Sequence, residues 1–401
     1  MRILILTPLI PYPPYRGDKL KVFNLIKNLS RSHEIVLLAF ASSAKDREYL
    51  PPLSALCADV RIVHRPRWQS ILQAVLNMAS DRPFQVAYFS SGKMRAALRR
   101  LLEEKKFDII HTHYIRMAQY TEGVRGTPGV LDLTDAKSLY LKRFLTSERN
   151  VLKRLLLTSE YRRMLRYEKI LGRYDQTLVC SPVDRTFLLE SVPGARISLL
   201  ENGVDLEYFS PDGAASPERG TIICTGNMSY FPNADGVRFF AQQILPLVKQ
   251  RVPEAKFFIV GQNPPASVRA LAAPDVVVTG AVPDIRSYYL RSLVAVSPIR
   301  FGSGTLNKVL EPMALGVPVV ATSVGTEGLP VRNGEHILIA DSPLRFAECV
   351  ADLLESAELR DRLSSGARDI VRARYGWASI ARQLEAIYDD VMRNTNAERG
   401  S

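Results

Sequence analysis

Cysteine is scarce: Cys57, Cys180, Cys224 and Cys349 are scattered over 401 residues. None falls in a CxxC pair or has a histidine at ligand spacing, which excludes a disulfide scaffold and speaks against a structural zinc site. Reduced, buried thiols in a cytoplasmic protein are the expectation. No apolar run approaches the ~18–20 residues that cross a bilayer. The opening MRILILTPLIPYPPY has a short apolar stretch, no A-x-A-like cleavage site and a proline turn at its end. It reads as a buried strand rather than a signal peptide. Helix-turn-helix, zinc-finger and RNA-recognition signatures are all missing, so no nucleic-acid partner is expected.

What is present begins with charge. The formal net charge is +12, and it is uneven. Residues 1–200 hold 33 Lys+Arg against 18 Asp+Glu, and residues 201–401 hold 20 against 23. All the excess sits in the first half, which suits an anionic partner such as a phospholipid surface or a lipid pyrophosphate. Residues 137–173 read as one long basic helical stretch carrying Arg143, Lys153, Arg154, Arg162, Arg163, Arg166, Lys169 and Arg173. It is either a solvated helix face or a surface that approaches an anionic membrane. The stretch 68–79, WQSILQAVLNMA, is apolar enough to touch lipid, and core packing explains it equally well.

Length implies two domains. Short apolar runs alternate with amphipathic ones from end to end. RILILT, EIVLLAF, ADVRIV, FDIIHT, GVLDL, QTLVCS and ISLLEN read as strands of the first half; TIICTG, KFFIVG, DVVVTG, LVAVSP, VPVVAT and HILIA read as strands of the second. Near-continuous apolar strands in βαβ rhythm predict two parallel sheets, each covered on both faces. The expected divisions are a first Rossmann-like domain over 1–200, a polar linker over 201–220, a second over 221–375, a terminal helix over 376–393, and a disordered tail over 394–401.

The most informative segment is Val294–Thr322, VAVSPIRFGSGTLNKVLEPMALGVPVVAT. It reads as strand, glycine turn, helix, glycine turn, strand. The first turn holds Gly302, Ser303 and Gly304, and a glycine turn feeding a helix suits a phosphate. Lys308 adds positive charge, and Glu311 on the same helix face can accept hydrogen bonds from a ribose. Together they suggest a nucleotide-sugar site.

This segment resembles the donor-binding run of retaining glycosyltransferases of family 4, which have the GT-B fold. Members carry a Glu, seven residues, then a second Glu in a run like EAMAxGxPVV. Glu311 takes the second position and Ser303 falls on the first, so a serine stands where the family has a carboxylate. Pro312 replaces the usual Ala within the helix, where a proline removes one backbone bond. The resemblance implies an α/β, GT-B architecture: two Rossmann-like domains facing a central cleft, with the C-terminal helix crossing back to the first. It also implies donor contacts at Gly17, Gly226, Asn227, Val282, Arg300, Gly302, Gly304, Thr305, Lys308 and Glu311. Relatives carry cations near Asn227 and Asn233 that this chain lacks. Lys308, with Arg300, is then expected to neutralise the diphosphate.

Three further places stand at strand ends, where open α/β sheets bind ligands. Gly17 opens a helix after the first strand, with Asp18 as an alternative helix cap. His111 and His113 follow FDII in an HxH run similar to one in the family. Two histidines at this spacing are expected on opposite faces of the strand, so no shared metal is expected. One of them reaches the acceptor, or both make structural hydrogen bonds. Asp132 and Asp135 lie in DLTD. Asp132 either acts at the anomeric centre or caps the helix that follows. The catalytic candidates are thus Asp132, His111 and Ser303, with His113 and Asp135 on the acceptor side. No DxD run stands in a suitable turn, and neither metal nor other cofactor is expected beside the nucleotide diphosphate sugar. The expected activity is sugar transfer to a lipid-linked, polysaccharide or other membrane-associated acceptor in cell-surface polysaccharide synthesis, by a cytoplasmic or peripheral protein. The alternative is a non-catalytic nucleotide-sugar-binding partner of such a system.

Overall fold

The structure is a computed structural model that describes residues 1–14, 17–77, 80–148, 150–211, 216–301 and 307–400. It divides into two compact units: Met1–Glu201 with Ala378–Ser401, and Asn202–Trp377.

The first unit is built on seven strands: β1 (Arg2–Thr7), β2 (Glu34–Ala41), β3 (Asp59–His64), β4 (Ile109–His113), β5 (Gly129–Thr134), β6 (Gln176–Val179) and β7 (Ile197–Leu199). They pair in parallel in the order β3-β2-β1-β4-β5-β6-β7. Each short apolar run of the sequence has become one strand, because a run apolar on both faces is stable only between two helical layers. Leu4, Leu6, Val36 and Leu38 pack on one face, with almost no exposed surface. The helices that frame the carboxyl ends of these strands are α1 (Gly17–Leu29), α2 (Arg67–Leu76) and α3 (Phe84–Tyr88).

The basic stretch 137–173 is not one helix. It forms α4 (Lys137–Ser147) and α5 (Val151–Tyr167), with Asn150 capping α5 by accepting from the Lys153 N–H. A capping asparagine satisfies the first amides of a new helix and so starts one where the sequence pattern runs on. Leu152, Leu155 and Leu156 of α5 are exposed, as are Trp68, Ile71, Val75 and Leu76 of α2. Core packing therefore does not explain the apolar residues of 68–76. Among the described residues no helix is long and apolar enough to cross a membrane.

The second unit has six strands: β8 (Thr221–Thr225), β9 (Lys256–Val260), β10 (Val276–Gly280), β11 (Val294–Ser297), β12 (Val319–Ala321) and β13 (Leu338–Ile339). They too are parallel, in the order β10-β9-β8-β11-β12-β13. Ile222 and Cys224 pack on one side of the sheet and Ile223 on the other, so both faces are covered. The helices used by the site are α6 (Phe231–Phe239), α7 (Ile285–Leu290) and α8 (Asn307–Leu315). Pro312 sits inside α8 and is buried. The final helix, α9 (Trp377–Gly400), passes Arg393, where the sequence reading ends it, so residues 394–400 are helical rather than a disordered tail. Nothing between Asn394 and Arg399 breaks a helix, since neither proline nor glycine occurs there.

Candidate functional site

In both sheets the strand order reverses direction at one place, between β1 and β4 and between β8 and β11. Ligands of open α/β sheets bind outside the carboxyl ends at such a switch point. The second unit's switch point gathers several of the sequence candidates. Gly226 leaves β8 at φ 146°, and a Cβ there would lie 2.6 Å from Asn233 Nδ2 and 3.6 Å from Lys308 Nζ. Only glycine lets the loop come this close to the lysine. Asn233, on α6, donates from Nδ2 to the Asn227 carbonyl oxygen at 2.9 Å and accepts from Lys308 Nζ through Oδ1. Lys308 opens α8 and is half-buried, and burial lowers its pKa. No carboxylate pairs with its ammonium within salt-bridge distance among the described residues.

Glu311 lies one turn further along α8. The Tyr289 hydroxyl, 2.5 Å from Thr225 Oγ1, donates to Glu311 Oε2 at 3.2 Å. Burial pushes the Glu311 carboxyl up to about 7, against the Tyr289 hydrogen bond and the Lys308 charge. Near neutral pH the group is divided between a form that accepts and one that also donates. Tyr289 escaped the sequence reading. Its signal was a tyrosine on the buried side of α7, where a hydroxyl needs a partner.

Other donor-side candidates fall differently. Arg300 is expected to share the diphosphate with Lys308, yet its Nε and a terminal nitrogen grip Asp235 at 2.8 and 2.6 Å. A bidentate pair of this kind neutralises the guanidinium, and Asp235 lies 65 positions away, beyond any local spacing rule. Val282, in the loop between β10 and α7, is partly buried against the core. Gly302, Ser303, Gly304 and Thr305 lie outside the described residues.

In the first unit Gly17 is the first residue of α1. His111, His113 and Asp132 form a sealed cluster, with 2%, 0% and 0% of their surface exposed. Asp132 Oδ2 is 3.3 Å from His113 Nδ1 and 3.8 Å from His111 Nε2. The expectation of opposite faces is therefore wrong: side chains alternate along a strand, so residues two apart share a face. Lys21 Nζ pairs with Asp132 Oδ1 at 3.0 Å and also donates to the Leu200 carbonyl. The Tyr388 hydroxyl of α9 lies 2.7 Å from His111 Nδ1. Burial would raise the Asp132 pKa, but Lys21 and His113 outweigh it and hold the carboxyl well below its ordinary range. Burial pushes the His111 imidazole down to about 4.

The ligating atoms of His111, His113 and Asp132 all lie within 4.8 Å of one another, as a metal would require. Lys21 already supplies the balancing charge there, and Tyr388 engages one imidazole. The sequence reading placed Asp132 and His111 beside the reacting atoms; the structure seals both away from solvent. Asp132 does not cap the next helix either, because Asp184 accepts the Ala136 N–H at the start of α4. Asp135 is half-buried and pairs with Lys137 at 2.9 Å. Both strands end in left-handed backbone at non-glycine residues, Tyr114 (φ 73°) and Thr134 (φ 67°). Such residues cost roughly 1–3 kcal/mol each and cluster at functional sites. Lys21 and Tyr388 escaped the sequence reading. Lys21 interrupts the buried stripe of Val22, Leu25, Ile26 and Leu29, the pattern of a lysine that must find a buried partner.

Two parallel Rossmann-like sheets with a charged loop–helix junction at the switch point define the class: a GT-B protein. Residues 22–208 match Glycosyltransferase Family 4 and residues 219–356 match Glycosyl transferases group 1. The chain belongs to this family. An uncharacterized 44.6 kDa protein of the cps region of Klebsiella pneumoniae is 19% identical, over 93% of this chain and 96% of its own. A phosphatidyl-myo-inositol mannosyltransferase of Mycobacterium bovis is 28% identical, over 73% of this chain and 76% of its own. Among solved structures, Anabaena HepE in complex with UDP and glucose superposes with a TM-score of 0.69 at 15% identity, covering 97% of this chain and 100% of its own. The sucrose-phosphate synthase of Thermosynechococcus elongatus gives 0.71 at 16%, covering 98% and 100%. At such identities the likeness is one of fold.

Proposed function

We propose that this chain transfers a hexosyl group from a nucleotide diphosphate sugar, with retention of configuration, to a lipid-linked, polysaccharide or other membrane-associated acceptor in cell-surface polysaccharide synthesis. The observation that carries the reading is Lys308, an ammonium held by a neutral asparagine beside the Gly226 loop at the switch point. It stands ready to exchange Asn233 for a diphosphate, whose charge grows as the sugar departs. Glu311, set by Tyr289, accepts from the ribose. No metal or other cofactor enters this scheme. Asp132 and His111 act from behind, fixing the ends of β4 and β5. HepE, solved with UDP and glucose, and the mannosyltransferase and cps-region relatives support the donor and acceptor classes. The basic first half and the exposed apolar residues of α2 and α5 support peripheral contact with the cytoplasmic face of a membrane.

Thermal unfolding with UDP, GDP, TDP and their sugars, on wild type and Lys308→Ala, tests the donor half. A ligand at 100 times its dissociation constant adds about 2.7 kcal/mol. One nucleotide family raising the midpoint in wild type alone supports the site; no shift from any of them removes it. A second reading, a non-catalytic nucleotide-sugar-binding partner, draws on Arg300, whose charge is committed to Asp235. Sugar release from the responding donor, abolished in Lys308→Ala and Glu311→Ala, separates turnover from binding alone.

A further inference from the structure

A cavity of about 500 Å³ lies in the first unit, far along the chain from the donor loop. Its walls come from the segments that follow four parallel strands: Leu9 after β1, Ser42 after β2, Arg65 and Arg67 after β3, and Arg116 after β4, with α2 and α3 closing the sides. It therefore occupies the position where an open α/β sheet binds ligands, and the volume is that of a small-molecule pocket.

Among the described residues the cavity is lined by three guanidinium groups and no carboxylate. Arg65 is only 5% exposed. Its terminal nitrogen donates to the Ser70 hydroxyl and the Tyr88 carbonyl, and its Nε has no hydrogen-bond partner among the described residues. Its guanidinium lies over the rings of Phe89, Phe40 and Tyr88 at 4.2, 4.7 and 5.0 Å. Arg116 stacks on the same Phe89 ring at 4.9 Å and on Tyr114 at 4.5 Å, and its Nε is also without a partner among the described residues. Arg67 stands exposed at the wall.

Burying one guanidinium without an anion is costly, and bringing a second beside it adds repulsion. Aromatic faces recover part of this and fix the planes of the two forks. Burial accordingly depresses the Arg65 pKa, and Arg116 depresses it further. The other buried cation of this unit named above, Lys21, is matched by Asp132. An arrangement of rigid forks converging without an acid is complementary to a multivalent oxyanion, which accepts bidentate hydrogen bonds from each.

We propose that this cavity binds a phosphate group through Arg65, Arg67 and Arg116, and that the group belongs to the glycosyl acceptor. The second half rests on the glycosyltransferase reading; the first does not. The apolar residues Trp68, Ile71 and Val75 are exposed on α2, the helix whose Ser70 and Ala74 line the cavity. An acceptor phosphate carried on a lipid would thus meet apolar surface beside its binding site.

The test is calorimetric titration of the full chain with inorganic phosphate and pyrophosphate. It is made in the Lys308→Ala background so that the donor loop cannot take the probe. Binding that falls at least roughly tenfold in Arg116→Gln and in Arg67→Gln, the loss expected for one charge-assisted contact, supports the site. Binding unchanged in both variants, or absent from the parent, overturns it. Arg65→Gln is added only if its thermal midpoint shows it folded. Nucleotide-dependent stabilisation of Arg116→Gln and Arg67→Gln, with Lys308 intact, is measured alongside. If phosphate fails to bind while nucleotides still stabilise, the cavity proposal falls and the glycosyltransferase reading stands. The source is decided by phosphatidylcholine vesicles with and without a polyprenyl phosphate. Competition with inorganic phosphate, lost in Arg116→Gln, assigns a lipid-borne phosphate, and its absence assigns a soluble one.

Discussion

The two switch points handle charge in opposite ways. In the first unit Asp132 is met by Lys21 and flanked by His113 and His111, and the cluster has almost no exposed surface. Every formal charge there has an opposite, and the carboxyl is held far below its ordinary pKa. In the second unit Lys308 and Glu311 share a half-buried place without pairing: one is held by an asparagine, the other by a tyrosine. Burial moves both toward neutrality. A matched cluster has little left to offer a ligand; in the proposed function it fixes strand ends. An unmatched one keeps its interaction energy for something that arrives later. The same contrast within the first unit separates the sealed histidines from the arginine-lined cavity.

The largest effect is expected from breaking the matched cluster. Lys21→Met leaves Asp132 as a buried, unpaired carboxylate, which costs about 3–5 kcal/mol. Urea denaturation should show that loss, and adding Asp132→Asn should recover much of it. If Lys21→Met is as stable as wild type, the charges are not matched in the way described. Next comes Lys308→Ala. Its unliganded stability should stay within about 1 kcal/mol of wild type. The nucleotide-induced gain of about 2.7 kcal/mol should vanish. A large stability loss without ligand would mean that Lys308 is structural after all.

How much of this was legible in the sequence follows from range. The thirteen strands among the described residues each fall on a short, mostly apolar run, because the central strands are buried on both faces and that burial is written residue by residue. That Lys308 and Glu311 share one helix face follows from local spacing, since both lie on α8 three positions apart. The Arg300 ion pair was not legible, because its partner Asp235 lies 65 positions away on α6. The histidines were misjudged by a period error rather than by missing information. The break between α4 and α5 was marked by Asn150, a capping residue inside a basic run whose helical pattern masks it. The cavity arginines come from two segments about 50 positions apart, and nothing local sets them apart from other surface arginines.

The two clusters should also pull stability in opposite directions with pH. His111 titrates near 4 when folded and near 6.5 when unfolded. Between those values the unfolded chain binds the extra proton, so this contribution is present above 6.5 and is lost as pH falls toward 4. Glu311 titrates near 7 when folded and near 4.5 when unfolded. Between those values the folded chain binds the extra proton, so its contribution is present below 4.5 and is lost as pH rises through 7. Glu311→Gln should therefore gain on wild type between pH 5 and 8, by about 2–3 kcal/mol. Urea midpoints across that range would show the difference, and parallel curves for the two proteins would place Glu311 at an ordinary pKa.

The smallest and most discriminating change is the loss of one phenol from each cluster. Tyr388→Phe removes the hydroxyl beside His111 Nδ1, and Tyr289→Phe removes the donor to Glu311 Oε2. Each deletes one buried hydrogen bond, about 1 kcal/mol of stability. Their consequences should then part. With Tyr388→Phe the sealed cluster loses stability alone, and the nucleotide-induced midpoint shift stays that of wild type. With Tyr289→Phe the Glu311 carboxyl loses the contact that opposes its burial, so its pKa climbs further above 7. At pH 7.5 more of it is then protonated and less able to accept from a ribose, and the nucleotide-induced shift should shrink. Raising the pH to 9 should restore part of that shift in Tyr289→Phe, because the carboxylate returns. Equal responses of the two variants at both pH values would erase the distinction between a cluster that holds the sheet and one that waits for a ligand.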